Sequence, residues 1–366
     1  MQNGLFNVTE EQQGLVELIR DFMTKEIKPH VLEWEKEGHY PQEIIQQGID
    51  MGLHMLQVPE EYGGMGLDTT TAAMMIEEGA KVESTFMGLF NVTSMGGKIV
   101  MAAGNEEQKQ YYSGLLQKGY LSSFCLTEPD AGSDSAAVRT TAVRKGDSYV
   151  INGTKMFITN ASLASVFLVV ATLDPSKGSK GLATFIVERD RPGVTVGKKI
   201  DKIGMRLSNT AEVIFDNVEI PAFNLIGTEE GGFANAMKVL TASRPIIAAS
   251  SLGACQLARD LAIQYSKERV AFGKPICAKQ MIQEKIANME MLIQAGRGLV
   301  YNATMLLDQG KPCNKEASIA KCFVTEAFGK ITEGMDIVNK LLNRKFPHIP
   351  LGRATMSSDL VVIAFS

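Results

Sequence analysis

The chain has 366 residues, of which 45% are hydrophobic and 21% charged, a composition typical of a globular protein of about two or three domains. Its 37 basic and 41 acidic side chains give a net charge of −4, which argues against a nucleic-acid-binding surface. No run of about 20 uncharged apolar residues occurs, and the N-terminus lacks an apolar signal core, so we expect a cytoplasmic protein without a membrane span. The five cysteines and four histidines are scattered, so we expect no bound metal.

Residues 1–120 have the periodicity of helices and are predicted to form an N-terminal helical domain. Thr9 is expected to cap a first helix, whose apolar residues recur at three- and four-residue spacing. Pro29 should end or kink that helix. Residues 69–102, rich in Ala, Met and Gly, predict a buried helical pair, and Asn105 is expected to cap the helix that follows.

Residues 121–228 are predicted to form a middle domain rich in strands. Runs such as SVFLVVATL, LATFIVERD and AEVIFDNVEIP are rich in apolar and β-branched residues, and the segments that connect them are rich in Gly, Pro and Lys. The residues around Asn152-Gly153 alternate between apolar and polar, so we expect these two to form the turn of a β-hairpin.

Residues 229–366 return to a helical pattern and are predicted to form a C-terminal helical bundle. Arg269 and Phe272 are expected to close a long helix, with Gly273 as its C-cap. The order of helices, strands and helices predicts an α+β fold class that is mostly α.

The segment TEPDAGSD, residues 127–134, concentrates hydroxyl groups and backbone amides directly before the predicted strands. Pro129 and Gly132 impose an irregular backbone there. Thr127 and Ser133 could therefore grip a polar heterocycle or a phosphate. The alternative is a simple turn between a helix and a strand.

The segment KMFITNA places Phe157 and Thr159 two residues apart, so on a strand they face the same way. An aromatic ring beside a hydroxyl suits stacking and hydrogen bonding to a flat cofactor, although a core phenylalanine and a surface threonine would give the same pattern. Arg269, at the predicted helix end, could pair with a diphosphate. A solvated helix end is the alternative there.

Six segments occur in the order and spacing of one known family: PEEYGGMG, GNEEQKQYY, TEPDAGSD, INGTKMFITNA, ASRP and SKERVAFGKPI. From about residue 5 to residue 330 the chain resembles the acyl-CoA dehydrogenase family. The resemblance implies a helical N-terminal domain, a β-barrel-like middle domain and a four-helix C-terminal bundle. It also implies non-covalent FAD, an acyl-CoA thioester substrate, a role in fatty acid metabolism, a homotetramer or dimer, and an electron-transfer flavoprotein as electron acceptor.

The resemblance also implies which residues form the site. Four would surround the flavin ring, with the last one near flavin N5: Phe124, Thr127, Phe157 and Thr159. Three would reach the FAD of a neighbouring subunit: Arg269, Phe272 and Gln280. Two would contact the CoA portion of the substrate: Ser133 and Arg244.

The implied reaction is an α,β-desaturation, in which a carboxylate removes the α-proton and the β-hydrogen leaves as hydride to flavin N5. Hydrogen bonds to the thioester carbonyl stabilise the enolate-like transition state. The base must lie in a dry pocket, where desolvation raises the pKa of a carboxyl group towards neutrality.

The resemblance fails at the C-terminus, where the family's usual GGYG, YP..R..RDA and YEGT motifs are not visible. The segment FPHIPLGRA echoes their spacing, which would place the base in the apolar stretch Val361–Ala364 and leave the last helix short or absent. The position that some members use instead, on the ASRP helix, is Ser243. Glu333 is the nearest candidate, and an ordinary exposed helix residue is the alternative.

Three interpretations stay open on this basis. The chain could be a dehydrogenase-type enzyme with an unusual base or an altered thioester reaction. It could be a non-catalytic FAD or acyl-CoA binding protein. It could also have an aberrant C-terminus that prevents tight FAD binding.

The acyl-chain pocket is expected to be lined in part by residues 84–101, notably Phe86, Met87, Phe90 and Met95. Methionine adapts to many shapes and sets no length rule. The small MGGK turn at residues 95–98 slightly favours a short or medium acyl chain.

Overall fold

A computed structural model describes residues 8–340 of the chain. Within that range, helices come first, strands follow, and long helices come last, which confirms the predicted order and fold class. The helices of the first part are α1 (Glu10–Phe22), α2 (Val31–Glu37), α3 (Gln42–Asp50), α4 (Thr69–Ala80), α5 (Ser84–Ala103) and α6 (Glu106–Gln117). The domain limits 1–120, 121–228 and 229–366 remain predictions.

The two predicted helix caps are confirmed in α1 and α6. Thr9 and Gln12 form a capping box, in which the Thr9 side chain accepts from the Gln12 backbone and the Gln12 side chain accepts from the Thr9 backbone. Asn105 and Gln108 form the same arrangement at α6. Each box satisfies two backbone donors that a helix start would otherwise leave unpaired.

The strands of the middle part form one sheet. They are β1 (Ser122–Cys125), β2 (Thr141–Lys145), β3 (Ser148–Thr159), β4 (Val166–Thr172), β5 (Leu182–Glu188), β6 (Val194–Val196), β7 (Thr210–Pro221) and β8 (Leu225–Ile226). Their order is β6-β7-β3-β2-β4-β5-β8, and β1 pairs with β4 in parallel. Every residue of β4 is buried, so this strand lies at the centre of the domain.

The predicted hairpin turn at Asn152-Gly153 is wrong, because both residues lie inside the continuous strand β3. The real β2–β3 turn contains Gly146, whose φ is 57°. At Gly153 the pairing with β7 shifts register, and a Cβ there would lie 2.7 Å from Thr140 Cα. A close approach of two backbones therefore requires this glycine, and a turn does not.

The helices of the last part are α7 (Gly232–Glu268), α8 (Gln280–Asp308) and α9 (Asn314–Lys340). Between α7 and α8 lies a hairpin of two short strands, β9 (Val270–Ala271) and β10 (Lys274–Pro275).

The predicted C-cap at Gly273 is wrong, because α7 ends at Glu268 and Arg269 is already extended. Phe272 and Gly273 have φ of 56° and 76° and form the turn of the β9–β10 hairpin. Two consecutive left-handed residues match the right-handed twist of a tight hairpin, which a helix end does not require.

Helix α7 is the central helix of the last part. Within the described residues it is the one helix long and apolar enough to cross a membrane, and 67% of its most apolar stretch is buried inside the protein. Gly253 allows α7 to approach α4 closely, since a Cβ there would run into the Glu77 carbonyl oxygen and lie 2.6 Å from Ala80 Cβ. The burial of α7 is that of a core helix.

A buried polar cluster joins α4 to α7 and α8. The Glu77 side chain is fully buried, and one of its oxygens accepts from Arg297 Nη2 at 2.8 Å and from Gln256 Nε2 at 2.7 Å. The other oxygen accepts from the Tyr301 hydroxyl at 2.6 Å. The first and last groups of helices are therefore joined by charge as well as by apolar packing.

Candidate functional site

Two distant motifs meet at the end of β3. The Met156 amide donates to the Thr127 carbonyl oxygen at 2.8 Å, and the Ser123 hydroxyl donates to the Thr159 carbonyl oxygen at 2.7 Å. These bonds place the TEPDAGSD loop, which follows β1, beside the KMFITNA segment. The structure thus brings together four residues predicted to surround a flavin: Phe124, Thr127, Phe157 and Thr159.

The backbone at this junction is strained. Phe157 and Asn160 have φ of 59° and 63°, a left-handed conformation that is uncommon for an aromatic residue. The Asn160 side chain donates to the Leu89 carbonyl oxygen at 2.6 Å, which holds the bend in place. Strain of this kind concentrates at binding sites, and the half-buried Phe157 ring is accessible to a ligand.

A buried ion pair that the sequence analysis missed lies beneath this junction. Lys155 Nζ lies 2.7 Å from Glu128 Oε1, and the two side chains are 0% and 5% exposed. A lysine in the middle of a predicted strand could have signalled the pair, because a buried ammonium needs an opposite charge. The motifs themselves do not say which carboxylate supplies it.

A second missed cation lies one strand away from Thr159. Thr159 pairs with Thr210 on β7, and paired residues of neighbouring strands project on the same face. Lys202 Nζ donates to the Thr210 hydroxyl at 2.8 Å. Burial is the main cause that lowers the pKa of Lys202 to about 8, and repulsion from Lys199 adds to it. The Lys202 side chain is therefore mostly charged at neutral pH.

The two residues predicted to contact CoA lie in different elements. Ser133 is exposed in the loop after Thr127. Arg244 is half-buried on α7 and donates to the Ser318 hydroxyl on α9 at 3.2 Å. Ser243, beside it, is buried and donates to the Leu240 carbonyl oxygen at 2.8 Å, so it offers no carboxylate.

The three residues predicted to reach a second subunit lie on a projecting surface. Arg269 and Phe272 belong to the region of the β9–β10 hairpin, and Gln280 begins α8. All three are exposed, and the Phe272 side chain reaches 93%. Lys279 Nζ lies 5.2 Å from the centre of the Phe272 ring.

Glu333, the candidate base, is exposed on α9. It borders a groove between α8 and α9 that Lys285, Met289 and Leu292 also line. The lining of that groove includes none of the four residues predicted at the flavin ring. The alternative base region, Val361–Ala364, lies outside the described residues.

The residues expected to line the acyl pocket are buried side chains of α5: Phe86, Met87, Phe90 and Met95. The Phe86 ring packs against the rings of Phe22, Tyr40 and Phe90 with centroid distances of 5.6, 5.3 and 5.2 Å. Phe86 therefore contributes to the core of the helical domain. The MGGK turn predicted at residues 95–98 is wrong, because these residues lie inside helix α5.

The donor set at the β3 junction fits a flat heterocycle. Thr127 offers a hydroxyl, Phe157 offers a ring on a strained bend, and their backbones are linked by a hydrogen bond. Across the described residues, no group of three or more His, Cys, Asp or Glu side chains could hold a metal. The fold, with helical first and last parts around a strand-rich middle part, is that of a flavin-dependent oxidoreductase.

Comparison with known proteins identifies the family. The models of the N-terminal, middle and C-terminal domains of acyl-CoA dehydrogenase match residues 9–119, 123–218 and 230–338. The chain therefore belongs to the acyl-CoA dehydrogenase family, whose members are FAD-dependent oxidoreductases.

The relatives cover most of the chain. It is similar to an acyl-CoA dehydrogenase of Bacillus subtilis, with 43% identity over 88% of this chain and 85% of the relative. It is similar in structure to butyryl-CoA dehydrogenase from Megasphaera elsdenii, with a TM-score of 0.92, 35% identity, and coverage of 98% and 95%. A chain from the structure of the electron transferring flavoprotein of Acidaminococcus fermentans matches with a TM-score of 0.91, 35% identity and 98% coverage of both chains.

Proposed function

We propose that this chain is an FAD-dependent acyl-CoA dehydrogenase that introduces a double bond between the α- and β-carbons of an acyl-CoA thioester. One observation carries the proposal: the hydrogen bond from Met156 to Thr127 joins the two motifs that would bind the flavin. The match of three domain models to the chain supports it.

Four residues of the junction would hold the flavin ring. Thr127 would donate to the pyrimidine edge, Phe124 and Phe157 would lie against the ring, and Thr159 would bond near N5. Bound FAD supplies the acceptor for the β-hydrogen as hydride. The protein contributes orientation and the exclusion of water, and the burial of Thr127 and Phe124 favours both roles.

Ser133 and Arg244 would contact the CoA portion of the substrate. A guanidinium binds phosphate through charge-assisted hydrogen bonds, and Ser318 already orients that of Arg244. The acyl chain is proposed to be short or medium in length. The Megasphaera elsdenii neighbour, which is named for butyryl-CoA, is consistent with that choice.

We propose Glu333 as the candidate for the catalytic base that removes the α-proton. Its exposure and its separate groove favour the alternative of a non-catalytic or altered-chemistry FAD and acyl-CoA binding protein. A buried serine at position 243, where some members carry the base, favours the same alternative.

We also propose a homo-oligomer, either a dimer or a tetramer, in which Arg269, Phe272 and Gln280 reach the FAD of a second copy. The exposure of Phe272 and of Met281, which is 75% exposed, supports this contact, because large apolar side chains left in water mark interaction surfaces. An electron-transfer flavoprotein would accept the electrons. A cytoplasmic location and a role in fatty acid metabolism belong to the same proposal.

The test uses the colour of the flavin. The purified protein should absorb at about 450 nm, and anaerobic addition of acyl-CoA thioesters of graded length should bleach that band. A bound flavin that no thioester bleaches would favour the binding-protein alternative. A colourless protein that takes up no added FAD would overturn the flavoprotein proposal itself.

A further inference from the structure

The loop that carries Thr127 is closed at its base by one carboxylate. Glu128 accepts hydrogen bonds from the backbone amides of Arg139 at 2.7 Å and Thr140 at 2.9 Å. The carboxylate therefore links the start of the loop to the residues that lead into β2. The loop residues between these points include Pro129 and Ser133, and the link holds the two ends of that loop together.

One ammonium group then joins this loop to β3. Lys155 Nζ donates to Glu128 Oε1 at 2.7 Å and to the Leu126 carbonyl oxygen at 3.0 Å. Its two acceptors belong to the residues on either side of Thr127. The next residue after Lys155 donates to the Thr127 carbonyl oxygen, and Phe157 follows directly. The segments that carry Thr127 and Phe157 are thus linked through the buried ammonium group of Lys155.

The charges of this pair depend on each other. Burial lowers the pKa of Lys155, and attraction by Glu128 opposes that shift. For Glu128, burial disfavours the charged form, but Lys155 and the backbone donors outweigh burial and hold the pKa of the carboxyl group below its usual value. Burial raises the pKa of the neighbouring Cys125 thiol to about 12, so that thiol stays neutral.

A buried ion pair is weak evidence for stability, because desolvation offsets much of the Coulomb attraction. Its better-attested use is to specify one arrangement of the chain. Here the arrangement is the spacing between two segments separated by 27 positions in the sequence.

We propose that Glu128 and Lys155 are positioning residues that set the distance between Thr127 and Phe157, and thereby the affinity and electronic environment of the bound flavin. This inference rests on the proposed flavoprotein function. Both side chains are buried and bond to the protein itself, so both act through the segments that they hold.

The experiment measures FAD affinity and the flavin absorption spectrum in four variants. Glu128→Asp keeps the charge and withdraws the carboxylate by one methylene. Glu128→Gln and Lys155→Met each leave one partner alone, and the double variant leaves no buried charge. Asp130→Asn is the matched control, because Asp130 lies in the same loop and pairs with Arg139 at 2.8 Å, but both side chains are exposed.

We expect Glu128→Asp and each folded single variant to raise the Kd for FAD about tenfold or more, which corresponds to about 1.4 kcal/mol. The absorption band at about 450 nm should shift or lose its fine structure in the same proteins. Asp130→Asn should change the Kd less than about twofold. The double variant should weaken binding by less than the product of the two single effects, because the partners are coupled.

Two results would overturn the proposal. One is a folded Glu128→Asp protein with wild-type Kd and spectrum. The other, decisive if the single variants do not fold, is a double variant that binds FAD with the wild-type spectrum and affinity. A merely structural role would lower the stability of the apoprotein and leave both flavin readouts unchanged. Failure of the flavoprotein proposal looks different, since the wild-type chain would then bind no FAD.

Discussion

The replacement Glu77→Gln should destabilise the protein by about 3 kcal/mol, the lower end of the range for breaking a buried ion pair. The change leaves the Arg297 guanidinium, whose side chain is 12% exposed, without its opposite charge. It also removes one of the two acceptors shared by Gln256, Arg297 and the Tyr301 hydroxyl. An unpaired charge and a lost acceptor act together here, because the side chain at position 77 is fully buried.

Urea unfolding followed by far-ultraviolet circular dichroism measures this loss as a lower midpoint. The matched control is Glu290→Gln, since Glu290 pairs with Arg259 nearer the surface and its side chain is 42% exposed; we expect a loss below about 1 kcal/mol there. Glu77→Leu combined with Arg297→Met should recover most of the lost stability, because no buried charge remains. A loss below about 1 kcal/mol for Glu77→Gln would refute the reasoning.

Three further predictions concern pH, packing and the flavin. Burial raises the pKa of Glu83 in the folded protein above its ordinary 4.5. The protonated Glu83 therefore contributes its full stability below pH 4.5, and this contribution is lost as the pH rises through the pKa of the folded state. The difference in unfolding free energy between wild type and Glu83→Gln should therefore fall from pH 4.5 upwards, and a constant difference would contradict this. Gly253→Val should destabilise the protein by about 1–3 kcal/mol, because the larger side chain overpacks against α4. Gly298→Ala should stabilise α8 by about 0.5–1 kcal/mol, because a Cβ there would meet nothing within 4 Å. Thermal melts in which Gly253→Val has the higher melting temperature of the two would contradict this packing. Thr127→Val should weaken FAD binding about fivefold to tenfold through one lost hydrogen bond, and an unchanged Kd in a fluorescence titration would remove Thr127 from the site.

Much of the local structure could be predicted from the sequence. The caps at Thr9 and Asn105 form as expected, since a capping box depends on residues three positions apart. The strand-rich middle part follows from β-branched runs that are long enough to be unambiguous. Family motifs also named the four residues that the structure assembles around the β3 junction.

Two local predictions failed because glycine permits several conformations. Gly153 was expected to form a turn, but it lies in a strand where another backbone comes too close for a side chain. Gly273 was expected to cap a helix, but it forms a hairpin turn with Phe272. A glycine signals that a side chain is excluded or a positive φ is required, and only the surrounding fold selects between the two.

By itself the sequence determined the order of elements and the helix starts at Thr9 and Asn105, because these depend on neighbours within a few positions. The tertiary structure alone decided that Lys155 pairs with Glu128 and that Glu77 pairs with Arg297. The reason is physical: a buried charge must find a partner, but many carboxylates in the chain could serve. Distance along the chain carries no information about that choice, which is made when the sheet and the helices pack.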